Sequence, residues 1–163
     1  MTGRIGRTRR LPVFVYGTLR PGGLYHPDFL LGRTTAEEPA TLRGAVLHEG
    51  PGYPYALEDT HTGTDTATGG GTGRDGDAVA TVVRGELMML REDGYEQVLA
   101  ALDRLEDHRP GDPSSLYLRV VREVTRTADG APVAAWVYLA APRLAARLRA
   151  EARIVTSGDW FVR

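Results

Sequence analysis

Cysteine is absent from the 163 residues, and so are lysine and asparagine. Without cysteine the chain forms no disulfide, no thiolate nucleophile and no Cys-based zinc or iron–sulfur site. Without lysine it forms no Schiff base, which excludes pyridoxal-phosphate chemistry and lysine-dependent aldol chemistry. All 20 basic side chains are arginine; together with the missing asparagine this reads as the coding bias of a GC-rich genome and carries no functional weight. No apolar run approaches the roughly 20 residues that span a bilayer, and the basic start MTGRIGRTRR leads into no signal-peptide core. A cytoplasmic protein with no membrane partner is expected. The formal charge is only −1, from 20 basic and 21 acidic side chains, so no global field draws the chain to nucleic acid.

What is present suits one domain. At 42% hydrophobic residues the chain can bury a single core without metal or disulfide staples. Residues 1–10 carry Arg4, Arg7, Arg9 and Arg10 with little that is apolar; they are expected to form a disordered basic tail, and a nucleic-acid arm is the competing reading. Residues 11–163 form the domain. Leu11 to Tyr16 (LPVFVY) is a β-branched and aromatic run that stops at Gly17, as a buried strand entering a tight loop does. Further strands are expected over 40–47, 53–57, 78–90, 117–125 and 133–139, the last two as a hairpin across ADG, in a mixed or antiparallel sheet. The stretch 60–77, rich in glycine and threonine, has few side chains whose burial offsets ordering, so a flexible insertion is expected there. Val98, Leu99, Leu102 and Leu105 recur at helical spacing within 94–105, and 143–153 reads as a second, shorter helix.

Three constellations bear on chemistry. In VYGTLRPG (15–22) a strand runs into a loop with few bulky side chains, whose amides can converge on a carboxylate or oxyanion. An ordinary strand-ending turn is the competing reading of the same residues; phosphate and dinucleotide loops are not, because their glycine and lysine spacings are missing. In LDRLEDH (102–108) the helical period puts Leu102, Leu105 and Glu106 on one face. Turned inward, Glu106 would have a raised pKa and exchange protons near neutrality; turned outward, it would pair with Arg104 or Arg109. Tyr16, Tyr53, Tyr55, Tyr117 and Tyr138 each stand in or beside an expected strand, where tyrosines either wall a pocket or simply pack. The four histidines show no metal-ligand spacing, so no metal is expected.

VYGTLRPGG, GYPYAL, RGELMML, LDRLED followed by LYLRVVREV, AWVYL and a terminal SGDW, in that order from about Pro12 to Trp160, resemble the gamma-glutamylcyclotransferase-like (AIG2-like) family. The family includes gamma-glutamylamine cyclotransferases and an enzyme that removes a gamma-glutamyl protecting group in aminoglycoside biosynthesis. The resemblance implies an α+β fold, a small mixed β-barrel with flanking helices, and a cavity for a gamma-glutamyl group. It implies that Tyr16, Gly17, Thr18, Leu19 and Arg20 grip the glutamyl end, largely through backbone groups, that Glu106 is the proton shuttle, and that Tyr117 and Tyr138 line the pocket. Where members often read LDRLEGY, this chain has Asp107 and His108.

The implied reaction is cofactor-independent cyclisation of a gamma-glutamyl amine or peptide to 5-oxoproline, by a monomer or homodimer. Glu86 in RGELMML is the rival carboxylate. A non-catalytic binding or sensor domain on the same fold is the alternative function. Asp107, Asp112, Glu37 and Glu38 are candidates to attract a cationic leaving group.

Overall fold

The computed structural model describes residues 10–59, 81–108 and 115–162. The glycine- and threonine-rich stretch and residues 1–9 of the basic tail lie outside them. Arg10, the last residue of that tail, pairs with Glu92 at 2.9 Å on the surface.

Strand β1 (Val13–Val15) is three buried residues, and it joins the sheet on both sides. It runs antiparallel to β5 (Val82–Leu90), with Phe14 opposite Leu87, and parallel to β7 (Pro132–Ala140), with Val13 opposite Trp136. Strand β5 continues to β2 (Thr34–Arg43), β2 to β6 (Tyr117–Arg126), and β6 to β7, closing a five-stranded mixed barrel in the order β1-β5-β2-β6-β7. The expected α+β barrel with flanking helices is the observed fold. Closure demands close backbone approach at Gly85, where a Cβ would stand 2.0 Å from the Val15 carbonyl oxygen. No side chain fits there.

Some boundaries differ from expectation. The run 40–47 is two strands, because Gly44 turns the chain at φ +77 between β2 and β3 (Ala45–Glu49). Strand β3 pairs with β4 (Pro54–Glu58) in a separate two-stranded sheet. Strand β2 begins at Thr34, six residues earlier than read, since its first half, TTAEEP, is polar and offers no apolar run. A one-turn helix α1 (His26–Phe29), with Pro27 in its first turn, was not foreseen; four residues are too few for periodicity.

Side-chain alternation along the strands divides the core in two. Phe14, Leu42, Val83, Leu87, Val124 and Val137 belong to a cluster built from strands and the C-terminal segment, without helix residues. Val13, Val15 and Met88 belong to a second, which takes in the helices α2 (Tyr95–Leu105) and α3 (Pro142–Glu151). Gly94 caps α2 with no side-chain hydrogen bond, and Val98, Leu99 and Leu102 are buried. A side-chain cap contributes about 1 kcal/mol, whereas burial contributes roughly 1.5–3 kcal/mol for each such side chain. Packing therefore holds α2 against the barrel.

Gly85→Ala is expected to destabilise the fold by about 3 kcal/mol or more, because the obstacle is backbone rather than a movable side chain. In a chain of this length that lowers the melting temperature by roughly 6–12 °C, read by circular dichroism. An unchanged melting temperature would refute the role given to this contact in barrel closure.

Candidate active site

Beyond Val15 the chain turns at once. The Arg20 amide donates to the Gly17 carbonyl at 3.1 Å, the Gly23 amide to the Arg20 carbonyl at 2.6 Å, and the Tyr25 amide to the Thr18 carbonyl at 2.9 Å. Among the described residues, no turn hydrogen bond takes the amides of Gly17, Thr18 or Leu19. Gly17 lies against the ring of Pro54, whose Cδ would be 2.7 Å from any Cβ placed there. The start of β4 thereby fixes the loop from above.

The carboxylate comes from the end of α2. Glu106 is the C-cap, and Asp107 follows it in the left-handed region at φ 56. The Asp107 amide donates to the Arg104 carbonyl (3.1 Å) and the His108 amide to the Asp103 carbonyl (2.8 Å), the paired bonds of a Schellman stop. This abrupt ending leaves Glu106 on the wall of a cavity of about 210 Å³.

Tyr16, Gly17, Thr18, Leu19, Tyr117 and Tyr138 line the same cavity as Glu106, so the structure brings these seven candidates together. Arg20 is not among the lining residues. Its Nε and Nη2 donate to the two carboxylate oxygens of Glu86 at 2.8 and 3.1 Å, its Nη1 donates to Asp159 at 2.7 Å, and its guanidinium lies 4.4 Å from the Phe161 ring centroid. Burial opposes this charge, but Glu86 and Asp159 more than compensate and raise the arginine pKa. Arg20 therefore ties the loop to β5 and to the C-terminal segment. Glu86, the rival carboxylate, is held in that ion pair and does not line the cavity.

Glu106 has no such partner. It forms no ion pair or side-chain hydrogen bond with a described residue, and Arg104 faces solvent; Arg109 lies outside the described residues. The carboxyl keeps some access through the cavity, yet protein crowds it on nearly every side. Desolvation raises its pKa to about 7.

The tyrosine hydroxyls are committed. Tyr16 donates to the Tyr138 carbonyl, Tyr117 to the Pro54 carbonyl at 2.7 Å, and Tyr138 to Asp103 Oδ1 at 2.7 Å. Asp103 is fixed in turn by Arg119, through bonds of 2.7 and 3.1 Å, and Arg119 stacks on Trp136. Burial raises the pKa of all three phenols, so they stay neutral. A phenol has one proton. With that proton given to the protein, each of the three hydroxyls can offer a ligand only oxygen lone pairs.

The model of the family described as "Gamma-glutamyl cyclotransferase, AIG2-like" matches residues 13–162. The chain belongs to that family. Solved structures agree on the fold. An AIG2-like protein from Mus musculus is 23% identical at a TM-score of 0.54, over 80% of this chain and 77% of that one. An uncharacterised protein from Pyrococcus horikoshii is 18% identical at a TM-score of 0.51, over 92% and 89% of the two chains. A uropathogenic E. coli-specific protein is 17% identical at a TM-score of 0.50, over 92% and 91%. No curated protein matches the chain.

Membership makes the Asp107 substitution intelligible. The residue after Glu106 sits at φ 56, a conformation glycine adopts freely and other residues at a cost of about 1 kcal/mol, with aspartate among the more tolerant. Asp107 thus preserves the helix stop. His108 makes an aromatic contact with the Tyr138 ring at 6.4 Å, and its Nδ1 lies 3.3 Å from both the Arg119 amide and the Tyr117 carbonyl, the tautomer deciding which bond forms. Leu105, which the helical period put on the face of Glu106, also lines the cavity, as do Tyr25, Pro54 and Leu116, to which the sequence assigned no role there. Pro54 stands within GYPYAL and Leu116 opens LYLRVVREV, but Tyr25 carries no local signal.

The raised pKa of Glu106 has a consequence for stability. Folded and unfolded chains both bind its proton below the unfolded value near 4.5, and the folded chain alone holds it up to about 7. Stability is therefore lost as pH rises across that window. Glu106→Gln is expected to match the parent in stability below pH 4.5 and to exceed it by roughly 3 kcal/mol above pH 7. Urea unfolding at a series of pH values measures this; a stability difference that does not grow with pH would contradict the burial of the charge.

Proposed function

We propose that the protein is a gamma-glutamylcyclotransferase-type enzyme that converts a gamma-glutamyl amine or peptide to 5-oxoproline and the free amine, with Glu106 as general acid and base. The observation that carries this reading is a crowded carboxyl, without a partner among the described residues, that lines one cavity together with residues 17–19, whose amides no described backbone carbonyl takes. Family membership supports it.

The chemistry asks for little else. The substrate's α-amine attacks its own γ-carbonyl carbon, a new C–N bond closes the five-membered ring, and the bond to the leaving nitrogen breaks. Because both reactants are in one molecule, orientation supplies much of the rate. Counted from ammonium substrate to ammonium product, two protons pass from the attacking to the leaving nitrogen. A carboxyl that titrates near 7 can accept and return them in turn. The amides of Gly17, Thr18 and Leu19 supply donors for the oxyanion and the α-carboxylate without side-chain rearrangement. Tyr16, Tyr117 and Tyr138, whose protons are committed, supply acceptors for the ammonium. Arg20 acts at one remove, by holding the loop.

A non-catalytic binding domain would keep the cavity, but nothing in it would call for an uncompensated carboxyl at the end of α2. Glu106→Gln is expected to leave the fold intact and reduce 5-oxoproline release at least about a hundredfold. Glu86→Gln, which touches only the Arg20 anchor, should retain most of the turnover. The reverse order of effects would move the catalytic role to Glu86, and full turnover by the Glu106 variant would remove it from position 106.

A further inference from the structure

Glu37 and Glu38, candidates for attracting a cation, do not line the cavity; His26 holds the first at 2.8 Å and Arg126 the second at 2.9 Å. Asp103 stands outside the cavity too, yet it reaches the site through Tyr138. Its Oδ1 accepts the Tyr138 hydroxyl at 2.7 Å, and Arg119 grips both its oxygens, through Nε at 2.7 Å and Nη2 at 3.1 Å. The guanidinium lies 4.3 Å from the Trp136 ring centroid. The indole N–H of Trp136 donates to the Tyr95 hydroxyl at 3.1 Å, and Tyr95 donates to the Leu11 carbonyl at 2.7 Å. The Asp103 carboxylate, carried by α2, is thus braced from β6 and β7.

The titratable groups that feel the Glu106 charge are Tyr16 after β1, Tyr55 in β4, Tyr117 in β6 and Tyr138 in β7. On its own helix Asp103 lies about one turn back and Arg104 faces solvent; just beyond it, His108 sets its ring edge-on to Tyr138. Tyr16 and Tyr117 give their protons to backbone carbonyls, those of Tyr138 and Pro54, and Tyr55 directs its own to the Tyr53 hydroxyl, 3.5 Å away. Among these phenols Tyr138 alone gives its proton to a charged side chain. Tyr138 also shares the cavity with Glu106, so two carboxyls from one helix end compete for a single phenolic proton. Arg119 decides the competition, because a bidentate fork fixes the Asp103 carboxylate in place and a charged acceptor makes the stronger bond.

We propose that Asp103 is a positioning residue for the reaction: by holding the Tyr138 proton it keeps that hydroxyl from bonding Glu106, and so leaves the carboxyl free to exchange protons with substrate. This rests on the cyclotransferase reading of the same site. A phenol that donated to ionised Glu106 would stabilise the charged form and make it a weaker base. It would also occupy an oxygen that the substrate's ammonium needs. With its proton on Asp103, Tyr138 offers the cavity only lone pairs. A carboxylate that served only to pin α2 to the barrel would need Arg119 but not the phenol.

The test uses full-length variants. Asp103→Ala combined with Arg119→Met removes the ion pair as a unit and leaves no unpaired charge; Tyr138→Phe is made both in that background and alone. Titration of Glu106 is read from the carboxyl NMR signal of isotope-labelled glutamate, assigned by its loss in Glu106→Gln, and needs no turnover. A panel of gamma-glutamyl alkylamides and gamma-glutamyl amino acids supplies the acid limb of kcat/KM, with 5-oxoproline release as the readout. The ion-pair variant is expected to titrate about one pH unit lower, the effect of one added hydrogen bond to the charged form, and the acid limb should move with it. Adding Tyr138→Phe should return both to the parental position, and Tyr138→Phe alone should leave them there. A lower melting temperature with an unmoved titration makes Asp103 merely structural and overturns the proposal, while turnover by the parent preserves the cyclotransferase reading. A downward shift that persists after Tyr138→Phe overturns it as well, since the phenol is then not the carrier. So does an upward shift in Tyr138→Phe alone, which would show Tyr138 already donating to Glu106; this variant decides the matter should the ion-pair variants not fold. If the parent turns over no member of the panel, the cyclotransferase reading falls, and the role of Asp103 in a reaction falls with it.

Discussion

Closure of the barrel through a three-residue strand is the constraint on which the site depends. Strand β1 has neighbours on both sides, so its backbone is held by β5 and β7 together. That is possible only because Gly85 lets the Val15 carbonyl come closer than any side chain would permit. A strand so short leaves its polar continuation, residues 16–20, at the barrel end. The hydroxyl of Tyr16 then reaches the Tyr138 carbonyl, and the guanidinium of Arg20 reaches β5 and the C-terminal segment. The loop amides are thus positioned by the same contacts that complete the sheet. Preorganisation of this kind is what electrostatic stabilisation requires, because donors that must first move lose much of their effect.

The second requirement is a helix that stops at one residue. Packing of Val98, Leu99 and Leu102 sets the orientation of α2, and the left-handed Asp107 ends it immediately after Glu106. The carboxyl arrives at the cavity from a rigid element, one turn beyond the Asp103 that fixes Tyr138. Helix, pocket tyrosine and carboxyl therefore move together. Burial without a counter-ion destabilises the fold above neutral pH. Such a cost is typical where function depends on a shifted carboxyl.

Much of the fold was legible because barrel strands with one covered face carry apolar or β-branched runs. The strands at 13–15, 54–58, 82–90, 117–126 and 132–140 all announced themselves in this way, as did α2 through its period. The first half of β2 did not, since Thr34 to Pro39 are mostly half-exposed and gain their place from pairing with β5 rather than from burial. Gly44 in the run 40–47 was the overlooked signal for a break. In the site, helical spacing allowed Glu106 to turn inward but did not choose between that and the outward alternative. The role of Arg20 could not be read at all. Its partners lie 66 and 139 residues away, and an arginine beside a glycine loop looks the same whether it faces ligand or anchors backbone. The tie between Tyr138 and Asp103 was hidden for the same reason, as a tertiary contact across 35 residues.

Proton inventory orients the site more sharply than its outline does. Tyr16, Tyr117 and Tyr138 are neutral, and each has given its single proton to a carbonyl or a carboxylate of the protein. They cannot then stabilise an oxyanion by donation without breaking a buried hydrogen bond and leaving its acceptor unsatisfied, at a cost of about 1–3 kcal/mol. In the proposed reaction donation falls to the amides of residues 17–19, and acceptance to the phenols and Glu106. A gamma-glutamyl group has the complementary order, with an ammonium at one substituent of its α-carbon and carbonyl oxygens at the others. Placed with the ammonium toward Glu106, it satisfies both walls; reversed, it sets carboxylate against lone pairs and ammonium against amide donors. For the gamma-glutamyl substrate proposed above, the direction of entry thus follows from where the hydroxyl protons already are.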